Sequence, residues 1–361
     1  MPIFRHKNVD GWCESVMKLW WKDLERKTEF NSGQALRMGF WILMVVLLIL
    51  VTQGCGPRPA EDPPQEDEKG LPALCVREGE LCDTDGHRVQ LRGMSTHGMA
   101  WFPQYCNARA FQSVKEAGGN VIRLAMYTDT DNGYLADPQG NLLRMRLAVE
   151  DALAVGLYVI VDWHILSDGN PNEHLSEAIT FFDAMASAYR DEPGVLYEIC
   201  NEPNRVRWDE IQQYAYAIVP VIRQYAPDAV ILVGTPDYSS GIAEAAASPL
   251  PMENLLYSYH FYAGEKDQYL RLKQAVDDHF PVFVSEWGIG RKRDESLALN
   301  EGRDFVNYLN EKKISWCAWS LCNKEEPYSA LRPECAAYGG FSREDLTDTG
   351  KVYYDALGVT R

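Results

Sequence analysis

The chain has 361 residues, of which 46% are hydrophobic and 24% are charged, a composition typical of a large globular domain. Its formal net charge of −17 comes without any cluster of Lys and Arg, which excludes nucleic acid as a partner because binding to a polyanion needs such a cluster. An acidic chain of this kind fits a catalyst that acts on a neutral substrate.

Residues 1–55 are predicted to be an N-terminal extension that carries an export signal. A continuous apolar run, GFWILMVVLLILV, follows Arg37 and Met38 and ends shortly before Gly54 and Cys55. The run is short for a membrane span, and Gly54 and Cys55 resemble the site at which bacterial lipoproteins are acylated. We therefore expect an exported protein that is secreted, attached to a membrane through a lipid on Cys55, or held by the uncleaved segment.

Residues 56–71 are rich in proline and acidic residues, which predicts a disordered, solvated linker. A single catalytic domain is then predicted over residues 72–361. The chain ends soon after the last predicted helix, so no separate substrate-binding module is expected, and we expect a monomer.

Seven of the nine cysteines fall in the predicted catalytic domain. Their positions are compatible with disulfides between Cys75 and Cys82 and between Cys322 and Cys335. Two others are expected to be buried thiols because they lie in strand-like runs: Cys200 and Cys317. The chain has no Cys-x-x-Cys or His-x-x-x-His spacing, so neither a metal nor another cofactor is expected.

Eight short apolar runs are suited to buried parallel strands: residues 89–96, 120–126, 158–164, 196–202, 230–236, 255–262, 281–288 and 315–321. Helical periodicity alternates with them and is clearest over residues 142–155, 176–189, 208–225, 266–279 and 301–312. This alternation and count predict an α/β fold, the (β/α)8 TIM barrel. No Gly-x-Gly-x-x-Gly follows the first run, so a dinucleotide-binding fold has no support.

Polar or aromatic residues end nearly every one of these runs: His97, Arg123, His164, Asn201, Glu202, His260, Tyr262, Glu286 and Trp319. Each of them alone has an ordinary explanation, such as a helix cap, a buried ion pair or a core aromatic ring. Packing does not explain their recurrence at the same position of successive strands. Because the C-terminal strand ends of a parallel barrel converge, we predict that these residues line one active site.

Two glutamates give this predicted site its chemistry. Glu202 and Glu286 lie at the C-terminal ends of the fourth and seventh predicted strands, and we expect their carboxyl groups to lie about 5 Å apart across the barrel mouth. One can deliver a proton to the leaving group while the other stabilises the developing oxocarbenium ion. Two carboxyl groups at this separation predict cleavage of a glycosidic bond with retention of configuration.

Six motifs carry a family resemblance: LRGMSTHG from residue 91, VDWH from 161, YEICNEP from 197, HFYAG from 260, SEWG from 285 and WSL from 319. In this order they resemble glycoside hydrolase family 5, in particular its bacterial endoglucanase (cellulase) branch, over nearly all of residues 72–361. The resemblance implies a retaining endo-β-1,4-glucanase that hydrolyses internal bonds of cellulose or related β-glucans by double displacement.

The resemblance also implies residue roles. Glu202 becomes the general acid/base, Glu286 the nucleophile, and Asn201 a partner of the substrate 2-hydroxyl. Three further residues are implied to support the glutamates: Arg123 and Tyr262 beside Glu286, and His260 beside Glu202. The implied sugar-binding residues are His97, Trp101, Tyr127, His164, Tyr238, Trp319, Lys324 and Glu326. Tyr238 departs from the family pattern, in which Trp is frequent at this position on the leaving-group side.

Two alternatives use the same sequence features. The same machinery could serve a β-mannanase or a xyloglucanase, because cleft loops decide the polymer in this family. A non-catalytic, surface glycan-binding lipoprotein would also suit the signal and linker, but it has no need of both glutamates. The motifs favour β-glucan, and three tryptophans are expected to be buried behind the barrel instead of lining the cleft: Trp163, Trp287 and Trp316.

Overall fold

The computed structural model describes residues 70–291, 294 and 296–358. The predicted export segment, with Cys55, and nearly all of the predicted linker lie outside the described residues. Within the described ranges, no helix has both the length and the apolar character needed to cross a membrane.

An antiparallel hairpin precedes the barrel and is formed by β1 (Leu74–Arg77) and β2 (Glu80–Asp83). Its turn is made by Glu78 and Gly79, both of which have positive φ. A Cβ atom at Gly79 would lie 1.9 Å from the carbonyl oxygen of His279, so the hairpin can approach this loop only with glycine at the turn. Leu74 and Leu81 pack into the apolar cluster inside the barrel, and the hairpin thus covers its N-terminal end.

Eight parallel strands close into a barrel in the order of the chain. They are β3 (Arg92–Thr96), β4 (Val121–Tyr127), β5 (Tyr158–His164), β6 (Val195–Glu198), β7 (Ile231–Val233), β8 (Leu255–Tyr262), β9 (Val282–Gly288) and β10 (Trp316–Leu321). Each is followed by a helix, which confirms the predicted (β/α)8 fold.

The helices are α1 (Ala108–Glu116), α2 (Pro138–Ala154), α3 (Leu175–Ala188), α4 (Trp208–Arg223), α5 (Ile242–Ala247), α6 (Lys266–Asp277), α7 (Leu299–Glu311) and α8 (Asp348–Leu357). Side chains of Asn107, Asp137 and Thr347 cap the first turns of α1, α2 and α8 by accepting from backbone N–H groups. The five clearest helical segments of the sequence correspond to α2, α3, α4, α6 and α7.

The inside of the barrel is layered because alternate residues of each strand point inward. Its lowest layer is an apolar cluster that includes Val121, Leu196, Leu256 and Phe283. The next inward positions carry buried polar side chains: Arg123, Asp162, Glu198, Ser258 and Ser285. A charged layer therefore separates the apolar core from the C-terminal ends of the strands.

Outward-facing residues pack between the barrel and its helices. Trp163, Trp287 and Trp316 are fully buried there, as predicted. Cys200 and Cys317 are buried free thiols, also as predicted.

Two predicted strands extend too far at their C-terminal ends, and the first, predicted over residues 89–96, begins three residues before β3 (Arg92–Thr96). β6 ends at Glu198 and β7 at Val233, so Glu202 lies in a loop and not in a strand. The chain still follows the barrel wall after β6, because Ile199 donates its N–H to Leu232 and Asn201 donates its N–H to Trp163. The regular ladder is lost where the chain turns towards the site.

Neither predicted disulfide is formed, since all the described cysteines are free. Cys75 and Cys82 lie opposite one another in the hairpin, but the Cys75 thiol donates to the carbonyl of Asp83 and the Cys82 thiol to that of Glu80. Each sulfur is thus directed to a backbone oxygen and not to the other sulfur.

The second pairing fails for a different reason. The Cys322 sulfur lies between the hydroxyls of Ser320 and Ser329, at 3.3 and 3.2 Å. The Cys335 sulfur faces Asp345 at 3.8 Å. The two thiols have separate polar surroundings.

Candidate active site

Glu202 and Glu286 face one another at the C-terminal end of the barrel. Glu286 lies within β9 and Glu202 in the loop after β6, and both side chains are buried. One carboxylate oxygen of each lies within 4.8 Å of the other and of a ring nitrogen of His260. This separation is shorter than the spacing at which a water molecule fits between a sugar and one of two carboxyl groups.

Glu286 accepts hydrogen bonds from two fixed donors. The Tyr262 hydroxyl donates to its Oε1 at 2.6 Å, and Nη1 of Arg123 donates to its Oε2 at 3.2 Å. Burial, together with the charges of Glu286 and Glu202, raises the pKa of Tyr262 well above its usual value, so the phenol keeps its proton. A cation and a phenol therefore both stabilise this carboxylate.

Glu202 has a partner of a different kind. Nδ1 of His260 lies 2.9 Å from Oε1 of Glu202, and Nε2 lies 3.0 Å from the Ser285 hydroxyl. Burial acts to lower the pKa of His260, but the carboxylates of Glu286, Glu198 and Glu202 outweigh it and raise the pKa to about 9. Glu202 thus lies beside a group with which it can share a proton.

Arg123 is the cation of the charged layer and is fully buried. Its Nε donates to Oε2 of Glu198 at 2.6 Å, and Nη2 lies 3.0 Å from Oδ2 of Asp162. Three further acceptors take its remaining N–H groups: Ser95, Glu286 and Asn201. Burial acts to lower the pKa of Arg123, but the carboxylates raise it above its usual value, so the guanidinium stays charged.

Asn201 is oriented from three sides. Its Oδ1 accepts from Arg123 at 2.7 Å, and its Nδ2 donates to the carbonyl of Ile165 at 3.0 Å and lies 3.2 Å from Nε2 of His164. Burial and the charge of Arg123 lower the pKa of His164 to about 3, so this ring is neutral. Its Nδ1, 2.7 Å from Asp162, then carries the proton, and Nε2 accepts from Asn201.

Aromatic rings form one wall of the site. Tyr127 stacks on His164 with ring centroids 4.1 Å apart, and Trp101 meets the edge of Tyr127 at 4.7 Å. Trp319 also stacks on His164, with ring centroids 5.3 Å apart, and the ring of His97 lies 5.2 Å from that of Trp319. The structure therefore brings five of the predicted sugar-binding residues together in one surface.

Lys324 and Glu326 lie at the polar end of this wall. The Lys324 ammonium lies 2.6 Å from Glu326 and 3.4 Å from Nε2 of His97. Burial, followed by the charge of Lys324, lowers the pKa of His97 to about 3. His97 is therefore a neutral ring beside an ion pair.

Tyr238 lies apart from the aromatic wall. It lines a pocket of about 360 Å³ together with Glu202, His260 and Tyr262. Asp237, Tyr238 and Ser239 all have positive φ, of 53°, 59° and 57°, a backbone conformation that is costly for residues other than glycine. This left-handed turn, and not a regular helix, places the half-exposed Tyr238 beside Glu202.

Sequence reasoning missed the layer beneath these residues: Asp162, Glu198, Ser258 and Ser285. The sequence did contain a signal for these residues. Each lies on a strand, either two residues after an apolar residue that points inward or two residues before a polar residue that points inward. A buried carboxylate such as Glu198 in the apolar run VLYE is unusual and indicates a hydrogen-bonded role.

A parallel barrel with two facing glutamates at the C-terminal ends of its strands defines the class of barrel glycoside hydrolases. The model of the cellulase family, glycosyl hydrolase family 5, matches residues 82–325, more than half of the chain. The chain belongs to this family and is a glycoside hydrolase.

Curated relatives agree with this assignment. Endoglucanase A of Butyrivibrio fibrisolvens is 39% identical over 79% of this chain and 68% of that protein. Endoglucanase N of Pectobacterium atrosepticum is 41% identical over 79% of this chain and 65% of that protein. The chain therefore spans about two thirds of the length of these relatives.

Among solved structures, the catalytic domain of Thermobifida fusca endoglucanase Cel5A, a variant in complex with cellotetraose, is similar with a TM-score of 0.75 at 37% identity. The match covers 79% of this chain and 96% of that domain.

Proposed function

We propose that the protein is a retaining endo-β-1,4-glucanase that hydrolyses internal bonds of cellulose or related β-glucans by double displacement. The observation that carries this proposal is the pair of buried glutamates within 4.8 Å of one another, with different neighbours. Glu286 has two fixed donors, whereas Glu202 faces an imidazole that can share a proton. These neighbours suit a nucleophile and an acid/base, respectively.

In the first step, Glu286 attacks the anomeric carbon while Glu202 gives its proton to the departing glycosidic oxygen. Asn201 is held so that the free lone pair of its Oδ1 can accept from the sugar 2-hydroxyl, a hydrogen bond that strengthens as the ring flattens. The product of this step is a covalent glycosyl enzyme.

In the second step, the negative charge of Glu286 has been consumed by the new ester bond. Glu202, now without its proton, removes a proton from water as the water attacks the anomeric carbon. The bond to Glu286 breaks, its carboxylate is restored, and Arg123 and Tyr262 again donate to it. Two inversions give net retention.

The aromatic wall supports a β-glucan substrate. Trp101, Tyr127 and Trp319 present ring faces that pack against the C–H faces of pyranose rings without charge. The similar Thermobifida fusca domain holds cellotetraose, and the named relatives are endoglucanases. Tyr238 and its pocket beside Glu202 are proposed to receive the leaving-group sugar.

A panel of soluble polysaccharides, assayed for new reducing ends, tests the substrate assignment. The proposal expects rapid hydrolysis of mixed-linkage or substituted cellulosic β-glucan. Faster hydrolysis of β-mannan or xyloglucan would assign the same machinery to another polymer. Binding without product release from any polymer would reject the enzyme proposal.

Variants of the two glutamates test their roles. Glu286→Ala is expected to abolish hydrolysis of every substrate. Glu202→Ala should still react with an aryl cellobioside whose leaving group needs no proton, with slow deglycosylation that azide accelerates. The control is Glu311→Ala, which removes an exposed glutamate at the end of α7. Turnover of the polymer by the Glu286 variant would contradict the nucleophile assignment.

A further inference from the structure

Glu198 is a buried carboxylate that contacts the surroundings of both active-site glutamates. Its Oε2 accepts from Nε of Arg123 at 2.6 Å, and Arg123 also donates to Glu286. Its Oε1 accepts from the hydroxyls of Ser258 and Ser285, at 2.6 and 2.7 Å. Three donors converge on this side chain, which is fully buried.

The ionisation state of Glu198 follows from these contacts. Burial acts to raise its pKa, but the adjacent Arg123 charge and its hydrogen bonds hold the pKa of Glu198 well below the usual range. The group is therefore an anion that only accepts hydrogen bonds. Both serine hydroxyls must donate their single hydrogen to it.

This direction fixes one proton of His260. The Ser285 hydroxyl donates its only hydrogen to Glu198. It can therefore only accept a hydrogen bond from Nε2 of His260, which lies 3.0 Å away. Nε2 must carry a hydrogen. The chain of contacts from Glu198 through Ser285 thus excludes the neutral ring that is protonated on Nδ1 alone.

Both ring nitrogens have carboxylates nearby, since Nε2 also lies 3.9 Å from Oε1 of Glu198. Nδ1 lies 2.9 Å from Oε1 of Glu202 and 3.9 Å from Oε1 of Glu286. With Nε2 already protonated, a hydrogen on Nδ1 makes the ring an imidazolium, and the raised pKa of about 9 agrees with this. Four carboxyl groups act on the charge of the ring: Glu198, Glu202, Glu286 and Asp162. Arg123 and Tyr262 in turn donate to Glu198 and Glu286.

We propose that Glu198 is a positioning residue that keeps His260 doubly protonated through Ser285, so that Nδ1 donates to Oε1 of Glu202 and the transferable proton stays on the other oxygen of Glu202. This inference rests on the proposed function of Glu202 as acid/base. If the His260 ring, with its hydrogen fixed on Nε2, loses the hydrogen on Nδ1, the unprotonated Nδ1 accepts the proton of Glu202. Glu202 can then no longer protonate the substrate.

The chain offers a matched pair of variants. Ser258 and Ser285 donate to the same oxygen of Glu198, but of these two only Ser285 is in hydrogen-bond contact with His260. Ser285→Ala removes the hydroxyl that keeps a hydrogen on Nε2 of His260. Ser258→Ala removes an equivalent hydrogen bond to Glu198 but leaves the contact between Ser285 and His260 in place.

Nitrogen-15 NMR of histidine-labelled protein reads the ring directly, with the His260 signals assigned by their loss in His260→Asn. The wild type is expected to titrate near pH 9 and to be protonated on Nε2 when neutral. Ser285→Ala should lower the midpoint by about one unit, equivalent to tenfold, and move the proton of the neutral ring to Nδ1. Ser258→Ala should retain the wild-type midpoint and tautomer.

Kinetics supply the second readout. In the wild type, the alkaline limb of kcat/KM should coincide with the ring titration. In Ser285→Ala, the neutral ring still donates from Nδ1, so activity should persist above the ring midpoint. A wild-type neutral ring protonated on Nδ1, or serine variants that behave alike, would overturn the proposal. Reading the tautomer needs no substrate, so a wild-type neutral ring protonated on Nε2 in a protein that is inactive on every polymer would reject only the proposed function.

Discussion

Substitution of Arg123 by lysine keeps the charge but removes the planar fork of donors. Arg123 contacts five acceptors: Ser95, Asp162, Glu198, Asn201 and Glu286. A lysine ammonium has three N–H groups, so at least two buried acceptors lose their donor. Hydrogen bonds to charged groups contribute about 1.5–3 kcal/mol each, which predicts a loss of roughly 3–6 kcal/mol in the free energy of unfolding.

Urea denaturation followed by tryptophan fluorescence measures this loss. The control is Arg343→Lys, because Arg343 binds Asp355 through two N–H groups on an exposed surface, where water and salt screen the ion pair. The reasoning would be refuted if the free energy of unfolding fell by the same small amount in both variants. Such a result would mean that water or a shifted lysine satisfies the buried carboxylates.

Two further predictions concern stability. The pKa values of His97 and His164 are lowered to about 3, so their contribution to the free energy of unfolding is complete above pH 6.5 and is lost as the pH falls towards 3. The pKa of His260 is raised to about 9, so its contribution is complete below pH 6.5 and is lost as the pH rises to 9. The free energy of unfolding in a urea series should therefore peak near pH 6.5, and a peak near pH 9 would contradict these assignments. Gly79→Ala should cost about 1–3 kcal/mol because of its positive φ and the close carbonyl of His279, whereas an unchanged melting temperature would show that the hairpin shifts freely.

The barrel was predictable because eight apolar runs alternate with helical periodicity, and each strand is buried on both faces. The residues at the strand ends were also predictable, since polar side chains such as His164 and His260 interrupt otherwise apolar runs. The same reasoning found Trp319, whereas Trp101 and Tyr127 came only from the family resemblance. The stacking of these rings depends on loop conformations that spacing does not encode.

The buried charged layer was missed because Glu198 and Asp162 were considered with their apolar neighbours in sequence. Arg123, Glu198, Ser258 and Ser285 come together only when the barrel closes, because they lie on four different strands: β4, β6, β8 and β9. The extent of β6 was overestimated for a similar reason, because the residues from Ile199 to Glu202 are apolar or buried without forming a regular ladder. The cysteine pairings failed because spacing along the chain does not specify where each sulfur points.

The anomeric configuration of the first product tests the central claim most directly. Proton NMR spectra recorded within the first minutes of hydrolysis of a cello-oligosaccharide distinguish the two anomers before mutarotation mixes them. Double displacement by Glu286 and Glu202 at their observed separation predicts that the β-anomer appears first. Initial release of the α-anomer would show inversion and contradict the proposed roles of both glutamates.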